Sequence, residues 1–158
     1  MEAITIRPAL LSEWESAMAL AWTTFQQKVA PSYSKEGVDS FLDFISDQTL
    51  KKMFIKDYYQ VFVAVNENDT IEGVISLRDG NHISLLFVDQ KFAGQGIGRK
   101  LIEYTSEYVA TRQVERKFVL SVNAAPGAIP FYEKTGFFKI QEMETKNGIT
   151  YLPMQKWI

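Results

Sequence analysis

The chain has 158 residues, 46% of them hydrophobic and 23% charged, with a formal net charge of −2, the balance of one soluble domain, residues 1–158, with enough length for a hydrophobic core. That balance gives no reason to expect nucleic acid as a partner, while the absence of cysteine excludes disulfides, thiolate metal sites and a cysteine nucleophile, and a single histidine cannot build a His-rich zinc site. No apolar run approaches the roughly 20 residues of a membrane span, and the opening MEAITIRPALLSEWE lacks a basic region followed by an apolar one, so membrane association is not expected and a cytoplasmic location fits.

Taken in chain order, Ala3 to Arg7 reads as a short first strand. Ser12, with Glu15 three residues on, predicts a capping box and a helix running to about Lys28. After the break at Ala30-Pro31-Ser32, the spacing of Val38, Phe41, Leu42 and Ile45 predicts a second amphipathic helix. The period then changes to that of strands. Val61 to Val65, Ile71 to Leu77 and Ile83 to Val88 are separated by turn-forming residues and predict an antiparallel meander. A helix from Ile97 to about Arg112 leads into a strand at Phe118 to Val122, which should lie parallel to the strand before that helix through a right-handed crossover. A short helix from Ala128 to Lys134 ends near Gly136. Asn147-Gly148 marks a tight hairpin between Phe137 to Thr145 and Ile149 to Trp157. Pro153 cannot donate to a ladder, so the last strand should lie at an edge or carry a bulge. The order predicts an α/β fold, a mixed sheet with helices on both faces.

Between the third strand of the meander and the next helix stands Ala93-Gly94-Gln95-Gly96-Ile97-Gly98-Arg99-Lys100-Leu101. Glycines spaced so closely permit positive φ or allow another molecule to approach the main chain. A helix opening directly behind them offers free amides and the positive end of its dipole, an anion site to which Arg99 and Lys100 add charge. A dinucleotide fingerprint would need glycine where Arg99 stands, and the P-loop pattern is absent. A glycine turn that merely eases strand-to-helix packing is the competing reading; the two cations and the strand-loop-helix setting favour the anion site.

Leu86-Phe87-Val88-Asp89 together with that loop is similar to the cofactor motif of the GNAT superfamily of N-acyltransferases, and Ala128-Ile129-Pro130-Phe131-Tyr132-Glu133-Lys134-Thr135-Gly136-Phe137 resembles its second motif. The resemblance covers roughly Ile71 to Phe138. It implies a mostly antiparallel sheet whose one central parallel pair splays apart to hold acetyl-CoA, with transfer of the acetyl group to a primary amine of a small molecule or peptide. By the family's pattern the main chain of Leu86, Phe87 and Val88 pairs with the pantetheine arm, and Gly94, Gln95, Gly96, Ile97, Gly98 and Arg99 hold the pyrophosphate. An amide of the same strand would stabilise the oxyanion. No metal is implied. Two positions depart from the pattern: Ala93 replaces the usual Arg or Gln, and Ala125 replaces an Asn whose part Asn123, two residues earlier, is placed to take.

Tyr132 read alone is a buried helix aromatic; the resemblance makes it the general acid that protonates the leaving thiolate, and a cofactor contact. His82, eleven residues before Ala93, occupies the place of the family's base. Strand alternation would put it on one face with Ser84, Leu86 and Val88, and an ordinary pKa near 6.5 suits a base; a solvent-exposed histidine at a turn is the equal alternative. Trp22, Phe25, Tyr33 and Phe41 are candidates for an apolar acceptor wall. Glu36, Asp39, Asp43 and Asp47 form an acidic stripe, read as a solvated helix face. With no cysteine to carry the acetyl group, transfer would be direct. A catalytically idle acyl-CoA-binding or sensor domain, and a transferase using another acyl-CoA donor, remain open at this level, as does a homodimer.

Overall fold

The computed structural model describes residues 3–112 and 118–158. Strand β1 (Thr5–Pro8) leads into helices α1 (Trp14–Lys28), α2 (Lys35–Ile45) and α3 (Gln48–Ile55), and the meander β2 (Gln60–Val65), β3 (Ile71–Arg78) and β4 (His82–Val88) follows. Then come α4 (Ile97–Arg112), β5 (Val119–Ala124), α5 (Ile129–Lys134), β6 (Phe138–Lys139), β7 (Glu144–Lys146) and β8 (Ile149–Trp157). The described strands join in the order β1-β2-β3-β4-β5-β8-β6, with β7 alongside β8. Among the described residues every pairing is antiparallel except that of β4 with β5.

Helices cover both faces of this sheet, as the sequence pattern requires. Trp14, Ala17, Met18, Ala21 and Phe25 recur at helical spacing along one side of α1 and bury against Val74 and Leu85. Ser34 caps α2 by accepting the Gly37 amide at 3.2 Å, and Phe41 stacks on Phe25 with ring centroids 3.9 Å apart. On the opposite face Ile97, Leu101 and Tyr132 of α4 and α5 pack on Ile75, Leu77 and Leu120. Asn147 and Gly148 both take positive φ, 54° and 78°, as a tight hairpin turn demands.

Three local expectations are corrected. The helix start is set by Glu13: its carboxylate accepts the Leu10 amide at 2.7 Å while Arg7 grips it at 2.8 and 3.1 Å. Glu15 is drawn instead to Lys51 at 2.6 Å, so no Ser12–Glu15 capping box forms. Helix α3, capped by Asp47 and burying Leu50 and Phe54, was not anticipated. Strand β8 is internal, lying between β5 and β6. Pro153 is tolerated there because its carbonyl faces outward to Ile140, and its nitrogen shares that side, where the neighbour of β8 changes from β7 to β6.

The register of β3 on β4 positions the site. Leu77 pairs with Ile83, yet the next residue back along β3, Ser76, pairs with Leu85. Ser84 is therefore the extra residue of a β-bulge, and the alternation of faces resets across it. His82 falls on the face of Leu85 and Phe87, toward α1 and α2, while Leu86 and Val88 share the α4 face with Ile83. Simple alternation, which grouped His82 with Leu86 and Val88, fails at this one inserted residue.

Candidate active site

Strands β4 and β5 pair at two positions, where β4 begins and β5 is at its middle: His82 pairs with Ser121 and Ile83 with Val122. Beyond those pairs the strands separate, and the edge of β4 from Ser84 to Val88 that would face β5 has no partner strand among the described residues. A side-chain clasp closes the base of this opening, His82 Nδ1 lying 2.8 Å from Ser121 Oγ. The main-chain groups bared in this way can bind an extended ligand as an added strand.

The glycine loop stands where β4 ends. Gly94 and Gly96 both have φ of +79°, and a Cβ built on either would meet no atom within 4 Å, so both face open space. The first helical bond of α4 runs from the Lys100 amide to the Gly96 carbonyl at 3.1 Å. The amides from Gly94 to Arg99 thus find no acceptor among the described residues, which makes a cradle for an anion. Gly98 serves a different need: a Cβ there would lie 3.1 Å from Phe131, so its smallness lets α4 approach α5. Gln95 and Arg99 are exposed at the loop, and Ile97 is buried beneath it.

From the opening a cavity of about 650 Å³ runs toward α1, α2 and the β7–β8 hairpin, a size ordinary for small-molecule sites. His82, Leu86, Phe87, Asn123, Ala125 and Tyr132 line it on one side, and Phe25, Tyr33 and Phe41 on the other. The cavity thereby brings together His82, Tyr132, Asn123 and the proposed apolar wall of Phe25, Tyr33 and Phe41. Trp22 is not among the lining residues; it stacks behind them on Phe25 and Phe41 at 6.0 and 6.4 Å. Val88 and the glycine loop also lie outside this cavity. Glu36, Asp39, Asp43 and Asp47 are exposed, and none of them lines it.

Contacts between α2 and the hairpin roof the cavity over. The Tyr33 hydroxyl donates to the Thr150 carbonyl at 3.1 Å and the Ser40 hydroxyl to the Asn147 carbonyl at 2.9 Å. Gly37 is packed so closely on Gly148 that a Cβ on it would collide with the hairpin backbone. The sequence held no signal for Arg78, Ser84, Lys146 and Tyr151, which also line the cavity, because they are brought there from separate strands. Ser84, the bulged residue, donates to the buried Tyr59 hydroxyl at 3.1 Å, and Tyr59 in turn lies 2.7 Å from Ser76 Oγ. This hydroxyl chain fixes the bulge.

Burial dominates the electrostatics. His82 is pulled down to about 4, first by loss of solvation and then by the positive charge of Arg78, against a smaller opposing effect of Asp79. It is a neutral imidazole at pH 7, and the ordinary histidine pKa expected from the sequence does not apply. Burial alone pushes the Tyr132 phenol far above its usual value, so its proton stays in place. Its hydroxyl has no hydrogen-bond partner among the described residues and borders the cavity. Among the described residues no group of three or more His, Asp or Glu side chains is placed to hold a metal ion, and no helix is long and apolar enough to cross a membrane.

Comparison with known proteins agrees with this architecture. The chain is 32% identical to the peptidyl-lysine N-acetyltransferase YjaB of Escherichia coli over 63% of its own length and 67% of the relative's. Its fold matches a GCN5-related N-acetyltransferase from Rhodopseudomonas palustris with a TM-score of 0.83 at 22% identity, covering 100% of this chain and 98% of the other. It also matches the PaiA N-acetyltransferase of Thermoplasma acidophilum, solved in complex with coenzyme A, with a TM-score of 0.74 at 18% identity and 99% coverage of both chains. The chain spans 54% to 67% of the length of the curated relatives it matches. The family profile described as "Acetyltransferase (GNAT) domain" matches residues 29–158. With a splayed parallel pair, an open glycine loop at a helix start and a matching family profile, the chain belongs to the GNAT family of acetyltransferases.

Proposed function

We propose that this chain transfers an acetyl group from acetyl-CoA directly to the primary amine of a small molecule or peptide. The observation that carries the reading is the nearness of an unpaired β4 edge, an open amide cradle at the end of that strand and the cavity-facing hydroxyl of the buried Tyr132 ring. The cradle fits a pyrophosphate: its amides have no other acceptor, and neither Gly94 nor Gly96 presents a side chain to the approaching group. Acetyl-CoA would supply an activated acyl carbon and a thiolate leaving group.

The main chain of Leu86, Phe87 and Val88 holds the extended arm as an added strand, and Asn123 meets it from the β5 side. An amide of β4 next to the bulge polarises the acyl oxygen, a task to which a fixed donor contributes several kcal/mol. Tyr132, held protonated by burial, delivers a proton to the departing sulfur. His82 keeps the place of the base but is a weak one. Its pKa of about 4 lies roughly six units below that of an alkyl ammonium, so a proton it accepts must pass on to solvent. Arg78 and Lys146 in the same cavity disfavour a bound ammonium and so favour entry of the amine as its free base. Phe25, Tyr33 and Phe41 form the apolar wall, with Trp22 supporting it from behind.

The test is release of free thiol from acetyl-CoA across a panel of amines and lysine peptides. Acceptor-dependent release with acetylated product supports the reading. Tight acetyl-CoA binding with no release from any amine would leave an idle binding domain in its place.

A further inference from the structure

The polar lining of the acceptor cavity is one-sided. Arg78 and Lys146 both line it, and no aspartate or glutamate does. With His82 neutral at pH 7, these two cations are the cavity's formal charge. Resting on the acetyltransferase reading above, we infer that the acceptor carries a carboxylate beside its amine, and that Arg78 and Lys146 select it.

The charges nearby leave this polarity in force. Arg78 is itself paired, Nε to Asp79 Oδ2 at 3.2 Å, but with the two side chains 49% and 76% exposed this is a weak surface pair, and Asp79 lies outside the cavity. The guanidinium has further donors for a second carboxylate. Lys146 has no ion-pair partner among the described residues. Glu144 on the adjoining hairpin has both oxygens engaged, one by the Tyr151 hydroxyl at 2.8 Å and one by the Gln141 amide at 2.7 Å. The acids of α2 face solvent. A polycationic amine would therefore bring its second charge among cations with no carboxylate to receive it, whereas an anionic group meets charge-assisted donors.

The remaining wall sets the body of the acceptor. Phe25, Phe41, Phe44 and Phe87 supply flat apolar surface, so an aromatic or aliphatic spacer between amine and carboxylate is accommodated. The anion has a place along the strand as well: His82, with Arg78 paired across from it, lies two residues before the bulged Ser84, or roughly 7 Å of extended chain.

Three probes share one benzylic amine and one ring: para-(aminomethyl)benzoate, benzylamine and para-xylylenediamine, which differ in presenting a carboxylate, nothing or a second ammonium. For the wild type, kcat/KM should fall in that order by about tenfold at each step, with the first gap shrinking at high salt. The double variant Arg78→Gln with Lys146→Gln should turn over all three within a few-fold, with thermal protection by CoA unchanged. The same order should appear in binding of the three amines to the CoA-loaded protein, followed by NMR, a readout that needs no turnover. A wild type that prefers the diamine, or a carboxylate preference that survives the double variant, overturns the inference. Absence of CoA protection in the wild type would instead overturn the acetyltransferase reading beneath it.

Discussion

Replacing His82 by glutamine keeps a polar side chain opposite Ser121 and removes one titrating group, the only imidazole in the protein. In the unfolded chain that imidazole takes up its proton near pH 6.5; in the folded chain it does so at about 4. Between these values the unfolded state binds a proton that the folded state does not, so stability falls as pH drops through this window and is fully present above it. The full drop from 6.5 to about 4 corresponds to about 3 kcal/mol. His82→Gln abolishes this slope but adds a pH-independent loss of about 1 kcal/mol for the weakened bond to Ser121. Urea unfolding at intervals from pH 7.5 to 4 should show the wild-type curve converging on, then crossing, that of the variant. Carboxylates such as Glu13, held low by its hydrogen bond to Arg7, titrate in both proteins and cancel in the difference. An NMR titration reads the same quantity directly, because a single imidazole resonance exists. A midpoint at pH 6 to 7 would refute the burial argument and return His82 to the role of an ordinary base.

Tyr132→Phe removes the hydroxyl, and with it the transferable proton, from the cavity wall while preserving the packing of the ring on Phe131 and Phe137. Turnover should drop by about 10²-fold with CoA binding intact; a change within twofold where chemistry limits the rate would leave Tyr132 as core packing. Gly37→Ala places a methyl against the Gly148 backbone. The overlap, about 1–3 kcal/mol, outweighs the gain of up to about 1 kcal/mol in helix propensity, so the roof should loosen and acceptor KM should rise with acetyl-CoA KM unchanged. Equal acceptor KM in a variant of unaltered stability would show that the α2 contact is dispensable. Without an imidazole limb near neutrality, kcat/KM should climb with pH until the acceptor amine itself is deprotonated. An inflection near pH 6.5 that vanishes in His82→Gln would contradict this.

Local chemistry made much of the fold legible. Helix α4 begins at Ile97, where the glycine loop releases the chain, and its apolar spacing holds through the described residues to Arg112. The Asn147-Gly148 turn fixed its hairpin by conformation alone. What escaped was decided by contacts distant in sequence. Glu15 is drawn off by Lys51, which comes from α3, against the local Ser12–Glu15 pattern. The bulge at Ser84 depends on the register of β3, and a single inserted residue moved His82 to the other face. The depressed pKa of His82 needed the α1–α2 layer that buries it. Arg78 reaches the cavity from the end of β3 and Lys146 from the end of β7, so nothing in their neighbourhoods along the chain marks them.

In the proposed reading acyl-CoA lies along β4 with its phosphates in the glycine loop. Amide chemical shifts followed while acetyl-CoA is added to the wild type and to Gly96→Glu test it most directly. The variant sets a carboxylate in the open space above the loop and pays about 1 kcal/mol for a side chain at φ of +79°. Saturable shifts are expected in the wild type, confined to Ser84–Val88 and Gly94–Lys100 and the residues facing them across the opening, and they should be lost in a folded Gly96→Glu protein. Shifts that survive the substitution, or that cluster instead at the second cleft lined by Glu13, Asp69 and Asp89, would contradict it.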